Sequence, residues 1–113
     1  MSVTNQQVAG YSFLKGLFED DYFPDQVVTR GKEILLRLCA RIEAEQPSDL
    51  AALYALTEVA TEEFNALEAE FEAAGSEIET VAREEICEDF GFVASAYGFE
   101  DADVEELVAG RDW

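Results

Sequence analysis

Carboxylates are the residues of this sequence best placed to do chemistry: 26 of its 113 residues are Asp or Glu. Those that matter most leave the wet side of a helix. Between Ser76 and Phe99, apolar residues recur at Ile78, Val81, Ala82, Ile86, Phe90, Val93 and Tyr97, the three-and-four spacing of an amphipathic helix. On that helix Glu85 and Asp89 fall inside the apolar arc, among Ala82, Ile86 and Val93, while Glu84 faces water. Glu68 sits in the same way between Phe64 and Phe71 on the preceding helix. An ionised carboxylate is costly to bury without a cation, a metal or hydrogen-bond donors, so each needs a partner.

One answer is catalytic. Glu and Asp on facing helices can hold Mg²⁺, which polarises a phosphate and activates water, as in all-α nucleotide pyrophosphohydrolases. On this reading Glu68, Glu85 and Asp89 are the candidate metal ligands. Glu58, Glu62 and Glu63 on one helix, with Glu85, Glu88 and Asp89 on the next, also have a superficially suitable layout. The other answer is structural and is preferred here: an arginine, a tyrosine hydroxyl or free helix-end amides hold Glu85 and Asp89.

Other chemistries lack their residues. Histidine is absent, which removes the commonest general base, the commonest transition-metal ligand and the usual catalytic triads. Ferritin-like di-iron sites need Glu-x-x-His pairs. There is no glycine-rich phosphate loop and no zinc-type cysteine spacing, and Asp101 and Asp103 lack the glycine that turns a calcium loop. Cys39 and Cys87 lie beside core positions without CxxC spacing and read as small packing residues. No catalytic residue is assigned, and Mg²⁺ belongs to the hydrolase alternative alone.

The formal net charge is −19, which repels nucleic acid and anionic membrane and favours cationic partners. Five of the seven basic residues precede residue 42, and none lies between Ile42 and Ala82. The leading expectation is therefore a non-enzymatic protein that docks a basic protein, as an immunity or inhibitor protein covers a toxin or a nucleic-acid mimic fills a DNA-binding cleft. Glu58, Glu62 and Glu63 point outward on the acidic stretch and are its expected contact residues. The competing account is a solvated surface from an organism whose proteins are all acidic. No oligomeric state follows from the sequence.

The elements that must position these groups are helical. Ser76 and Glu79 read as a capping box opening the Ser76 helix, with Gly98 and Phe99 closing it in a Schellman ending. Thr4 and Gln7 form a weaker box before a short apolar helix carrying Phe13, Leu14, Leu17 and Phe18. Pro24 suits the first turn of a long helix to Glu45, with Val27, Val28, Ile34, Leu35, Leu38 and Ile42 as its stripe and Gly31 where another backbone could approach. Arg30, Arg37 and Arg41 share one flank, where they form surface pairs such as Glu33–Arg37 and Arg41–Glu45 or face Glu85 and Asp89. After Gln46 and Pro47, Ser48 caps a helix to about Ala74, ended by Gly75. The next turn is so short that the Ser76 helix must fold back antiparallel, bringing Glu68 to the level of Glu85. A last short helix carries Val104, Leu107 and Val108 inward, and Trp113 plugs the core.

The reading is one all-α domain over residues 1–113, a compact antiparallel bundle of three long helices with shorter ones at each end. No apolar run approaches a membrane span, and the N-terminus lacks signal-peptide features, so a cytoplasmic protein is expected.

The segments TNQQV (Thr4 to Val8), YSFL (Tyr11 to Leu14), DYFP (Asp21 to Pro24), SEIETVARE (Ser76 to Glu84) and AYGFEDADVEELVAGRDW (Ala96 to Trp113) resemble one family of small bacterial proteins known only as a domain of unknown function. The resemblance spans nearly the whole chain and implies a bacterial, single-domain protein. It brings no activity, cofactor or site residue.

Overall fold

The computed structural model describes residues 3–113. Six helices follow in order: α1 Gln6–Ala9, α2 Lys15–Phe18, α3 Asp25–Glu45, α4 Leu50–Ala73, α5 Thr80–Ala96 and α6 Val104–Leu107. No strand occurs among the described residues. The chain is thus the expected all-α fold, three long helices with short ones at each end.

The spine is the pair α3 and α4. Val27, Val28, Ile34, Leu35, Leu38 and Ile42 are buried on α3, and Leu53, Ala60, Phe64, Leu67 and Phe71 on α4. Arg37 meets Glu63 at 2.7 Å and Arg30 meets Glu70 further along, so the two helices run in opposite directions. Gly31 lies under this packing. A Cβ there would stand 2.9 Å from Leu14 Cδ1 and 3.2 Å from Phe64 Cε1, so the close approach is made by side chains and not by the backbone that the sequence implied. The arginines do not reach Glu85 or Asp89. Arg41 takes Glu45 as expected, whereas Arg37 crosses to Glu63 instead of Glu33.

Several helix starts differ from the sequence reading, and at Ser76 the reason is that the preceding helix captures the expected cap. Ser76 does not open α5. Gly75, at φ 90°, is the left-handed residue that ends α4, and the Ser76 N–H then donates to the Phe71 carbonyl at 2.8 Å while Gly75 N–H reaches Glu72. This is a Schellman closure. The Ser76 hydroxyl also donates to Phe71 O, so it serves the helix behind it, and α5 starts at Thr80. At the chain's start Asn5, not Thr4, caps α1, accepting from Gln7 and Val8 N–H. Asp49, not Ser48, caps α4 through Ala52 N–H. The ending at Gly98 and Phe99 is as expected, with Phe99 N–H on Ala94 O and Gly98 N–H on Ser95 O.

The later start of α5 changes what it faces. Helix α5 packs on α1, α2, α3 and α6 and meets α4 through the Phe64 and Phe90 rings, 5.8 Å apart. Val81 and Val104, both expected inward, are exposed. Trp113 is buried against Phe64, the plug that was expected. Cys39 is buried and Cys87 half-buried, and both are free thiols.

Candidate functional site

The carboxylate in the least watery place is Asp89, 3 % exposed on the inner face of α5. It meets the segment between α1 and α2. The Tyr11 hydroxyl donates to one oxygen at 2.6 Å and the Leu14 N–H to the other at 2.7 Å. Leu14 presents that N–H because it adopts φ 55° and ψ 33°, left-handed values unusual for a branched residue. Tyr11 is held in turn by Phe92, stacked at 3.8 Å. Burial pushes the Asp89 carboxyl up to about 6; its two hydrogen bonds oppose the shift, and Glu85 and Glu88 add to it. Burial, then the Asp89 contact, drives the Tyr11 phenol upward. A tyrosine hydroxyl and a helix-end amide are two of the partners the structural reading allowed. With one donor on each oxygen, Asp89 ties α5 to the segment between α1 and α2.

Glu85 stays beside Asp89, one helical turn away and facing the same segment, whereas Glu68 lies apart. Glu85 is half-buried over the start of α2, so close that a Cβ on Gly16 would lie 2.6 Å from its Oε1. Glu68 is half-buried on α4. Desolvation raises its pKa, Glu72 and Asp112 add to the rise, and Arg83 opposes it. The expected convergence of Glu68, Glu85 and Asp89 therefore does not form. Among the described residues, no group of three or more Cys, Asp or Glu side chains is placed to hold a metal ion. A six-residue link, Ala74–Glu79, separates α4 from α5, and the inner carboxylates of α5 face residues 11–16.

A second anchoring carboxylate was not singled out from the sequence. Glu43 of α3 accepts from Thr4 N–H at 2.9 Å, Thr4 Oγ1 at 2.9 Å, Asn5 N–H at 3.1 Å and the Tyr97 hydroxyl. These donors, Tyr97 first, hold its carboxyl down at about 2. Its signal was its place on the α3 wheel, one residue past Ile42 and four past Cys39. Burial pushes the neighbouring Cys39 thiol up to about 12, an inert thiol.

The outward trio on α4 divides. Glu63 is paired with Arg37. Glu58 and Glu62 are exposed and take part in no ion pair among the described residues. Glu58 also borders a groove of about 470 Å³ floored by the small residues Ala51, Ala55, Ala109 and Gly110, with Tyr54 and Glu106 at its sides. This surface can accept hydrogen bonds from cationic groups, and its floor lets another chain approach closely.

Fold and site together define an acidic all-helical protein whose inner carboxylates brace its own N-terminal segment while outer ones remain open. The chain matches the model of a family of unknown function (DUF5713) over residues 7–113 and belongs to that family. No curated protein and no solved structure gives a significant match to it.

Proposed function

We propose that this is a non-enzymatic binding protein of the bacterial cytoplasm that docks a basic protein partner through the outer edge of α4. The observation that carries the reading is the contrast within one helix. Glu63 and Glu70 are neutralised by α3 arginines, whereas Glu58 and Glu62 stand exposed, with Glu58 on a groove of small residues. Dense carboxylates steer a cationic partner and accept charge-assisted hydrogen bonds from its arginines. No described helix is long and apolar enough to cross a membrane, and the net charge of −19 disfavours nucleic acid.

The experiment is affinity capture from the native host with tagged protein at low and raised salt, repeated with Glu58→Gln/Glu62→Gln. A basic protein that is bound at low salt, released at raised salt and weakened by the double substitution is the expected result. Capture that ignores both salt and the substitutions would overturn the reading.

A further inference from the structure

Among the described residues, the large apolar side chains most open to solvent are Val81, at 66 % exposure, and Tyr22, at 49 %. They line one groove of about 570 Å³ beside the α4–α5 link. Its floor is apolar and closed: Phe23 is 5 % exposed and Ala82 is fully buried. Tyr22 is braced edge-on by Phe23, with ring centroids 4.9 Å apart. Val81 is the position where the amphipathic pattern of α5 expects an inward residue, yet the helix shows it to water.

Asp20, Glu77 and Glu79 also line the groove. The Glu77 and Glu79 carboxylates lie within hydrogen-bonding reach of each other, and that crowding raises the Glu77 pKa. A cation between them would relieve it. Arg83 is the one basic residue of the lining. It is engaged at the back, donating from Nε to the Trp113 carbonyl at 3.3 Å.

An apolar floor, an aromatic wall and a carboxylate rim together select the chemistry of the occupant. A purely apolar side chain would bury the rim charges without answering them, and an anion would be repelled. A lysine offers a point charge, whereas arginine offers a plane that stacks on tyrosine and a fork that fits carboxylates. We propose that this groove is an anchor pocket for an arginine side chain of a basic protein partner, with its methylenes on Val81 and Phe23 and its guanidinium between Tyr22 and the Asp20, Glu77 and Glu79 carboxylates. The proposal rests on the reading that the partner is basic, and it adds a second contact point, away from Glu58 and Glu62.

The test is an amide chemical-shift titration of the full chain with the blocked peptide acetyl-Leu-Arg-Leu-amide, alongside its lysine and glutamate counterparts. Saturable shifts at Tyr22, Val81 and Arg83 are expected, weaker for lysine and absent for glutamate. Affinity should fall at least about tenfold in Tyr22→Ala and in Glu77→Gln/Glu79→Gln. Val81→Ser changes an exposed side chain and should weaken binding without loss of fold, checked by circular dichroism. Glu58→Gln/Glu62→Gln should leave this peptide's affinity unchanged. Shifts that follow Glu58 and Glu62 and spare the groove would overturn the pocket while leaving the basic-partner reading standing. Equal, diffuse shifts with the lysine peptide, or no shifts, would overturn the pocket as well; the capture experiment then judges the wider reading alone.

Discussion

Asp89 illustrates how a buried carboxylate can be necessary and costly at once. Its two acceptor oxygens satisfy the Tyr11 hydroxyl and the Leu14 N–H, so Asp89→Ala strands two donors, at about 1–3 kcal/mol for each that stays dry. Asp89→Asn should be far milder. Its carbonyl can accept from Leu14, and its amide can donate to the Tyr11 oxygen. The pH dependence follows from the raised folded value of about 6 against the ordinary 3.8. Between those values the folded chain holds a proton that the unfolded chain has released, so this contribution to stability is greatest at the acid end and is lost as pH rises through about 6. The full swing is on the order of 3 kcal/mol. Glu43 has the opposite sign: its folded value of about 2 lies below the ordinary 4.5, so its contribution is present above about 4.5 and fades as pH falls toward 2. Urea midpoints of wild type and Asp89→Asn between pH 4 and pH 7 check this. The difference between the two proteins should shift in favour of Asn as pH rises, whereas a constant difference would mean that Asp89 ionises normally.

At the scale of elements, two glycines inside long helices make opposite demands. Gly31 of α3 faces Leu14 Cδ1 at 2.9 Å and Phe64 Cε1 at 3.2 Å from an added Cβ, and both side chains are fully enclosed. Gly31→Ala should therefore destabilise, since overpacking costs about 1–3 kcal/mol against at most about 1 kcal/mol of improved helix propensity. Gly91 of α5 meets only Val104 Cγ2, at 3.5 Å. Gly91→Ala should stabilise by up to about 1 kcal/mol. Thermal unfolding of the two variants checks the pair of signs. Tight packing at Gly31 was legible because a glycine in a long apolar stripe needs a packing reason, but that side chains and not a backbone fill the space was not. The unusual placing of Glu85 and Asp89 was legible too, from helical spacing alone. Their partners were not, because Tyr11 lies 78 residues from Asp89 and Leu14 lies 75, and no local pattern reports which segment will cross an apolar face. Ser76 shows a different limit. A serine followed three residues later by glutamate is a good cap in isolation, but behind Gly75 its N–H is already claimed by the closure of α4. Helix α5 starts at Thr80 instead, Val81 is exposed, and Glu68, Glu85 and Asp89 do not form the cluster that the magnesium alternative required.

For the whole molecule, the net charge of −19 sets two salt responses of opposite sign. The three ion pairs among the described residues, Arg30–Glu70, Arg37–Glu63 and Arg41–Glu45, join side chains that are each more than a third exposed, and pairs of that kind contribute little to stability. Self-repulsion among the excess carboxylates acts over longer distances and opposes the compact state. Salt weakens both, and the larger effect governs the result. Raising ionic strength from about 0.1 M to about 1 M shortens the Debye length from roughly 10 Å to 3 Å, so the melting temperature should rise. An increase of about 5 °C corresponds to roughly 1 kcal/mol in a domain of this size. On the proposed function the same salt should release a basic partner, because the attraction proposed to steer it to Glu58, Glu62 and the Tyr22–Val81 groove would be screened by the same ions. A melting temperature that falls with salt would show that the ion pairs outweigh the repulsion. A rise in melting temperature together with loss of partner binding would show that the carboxylates this fold keeps outside cost it stability and serve association.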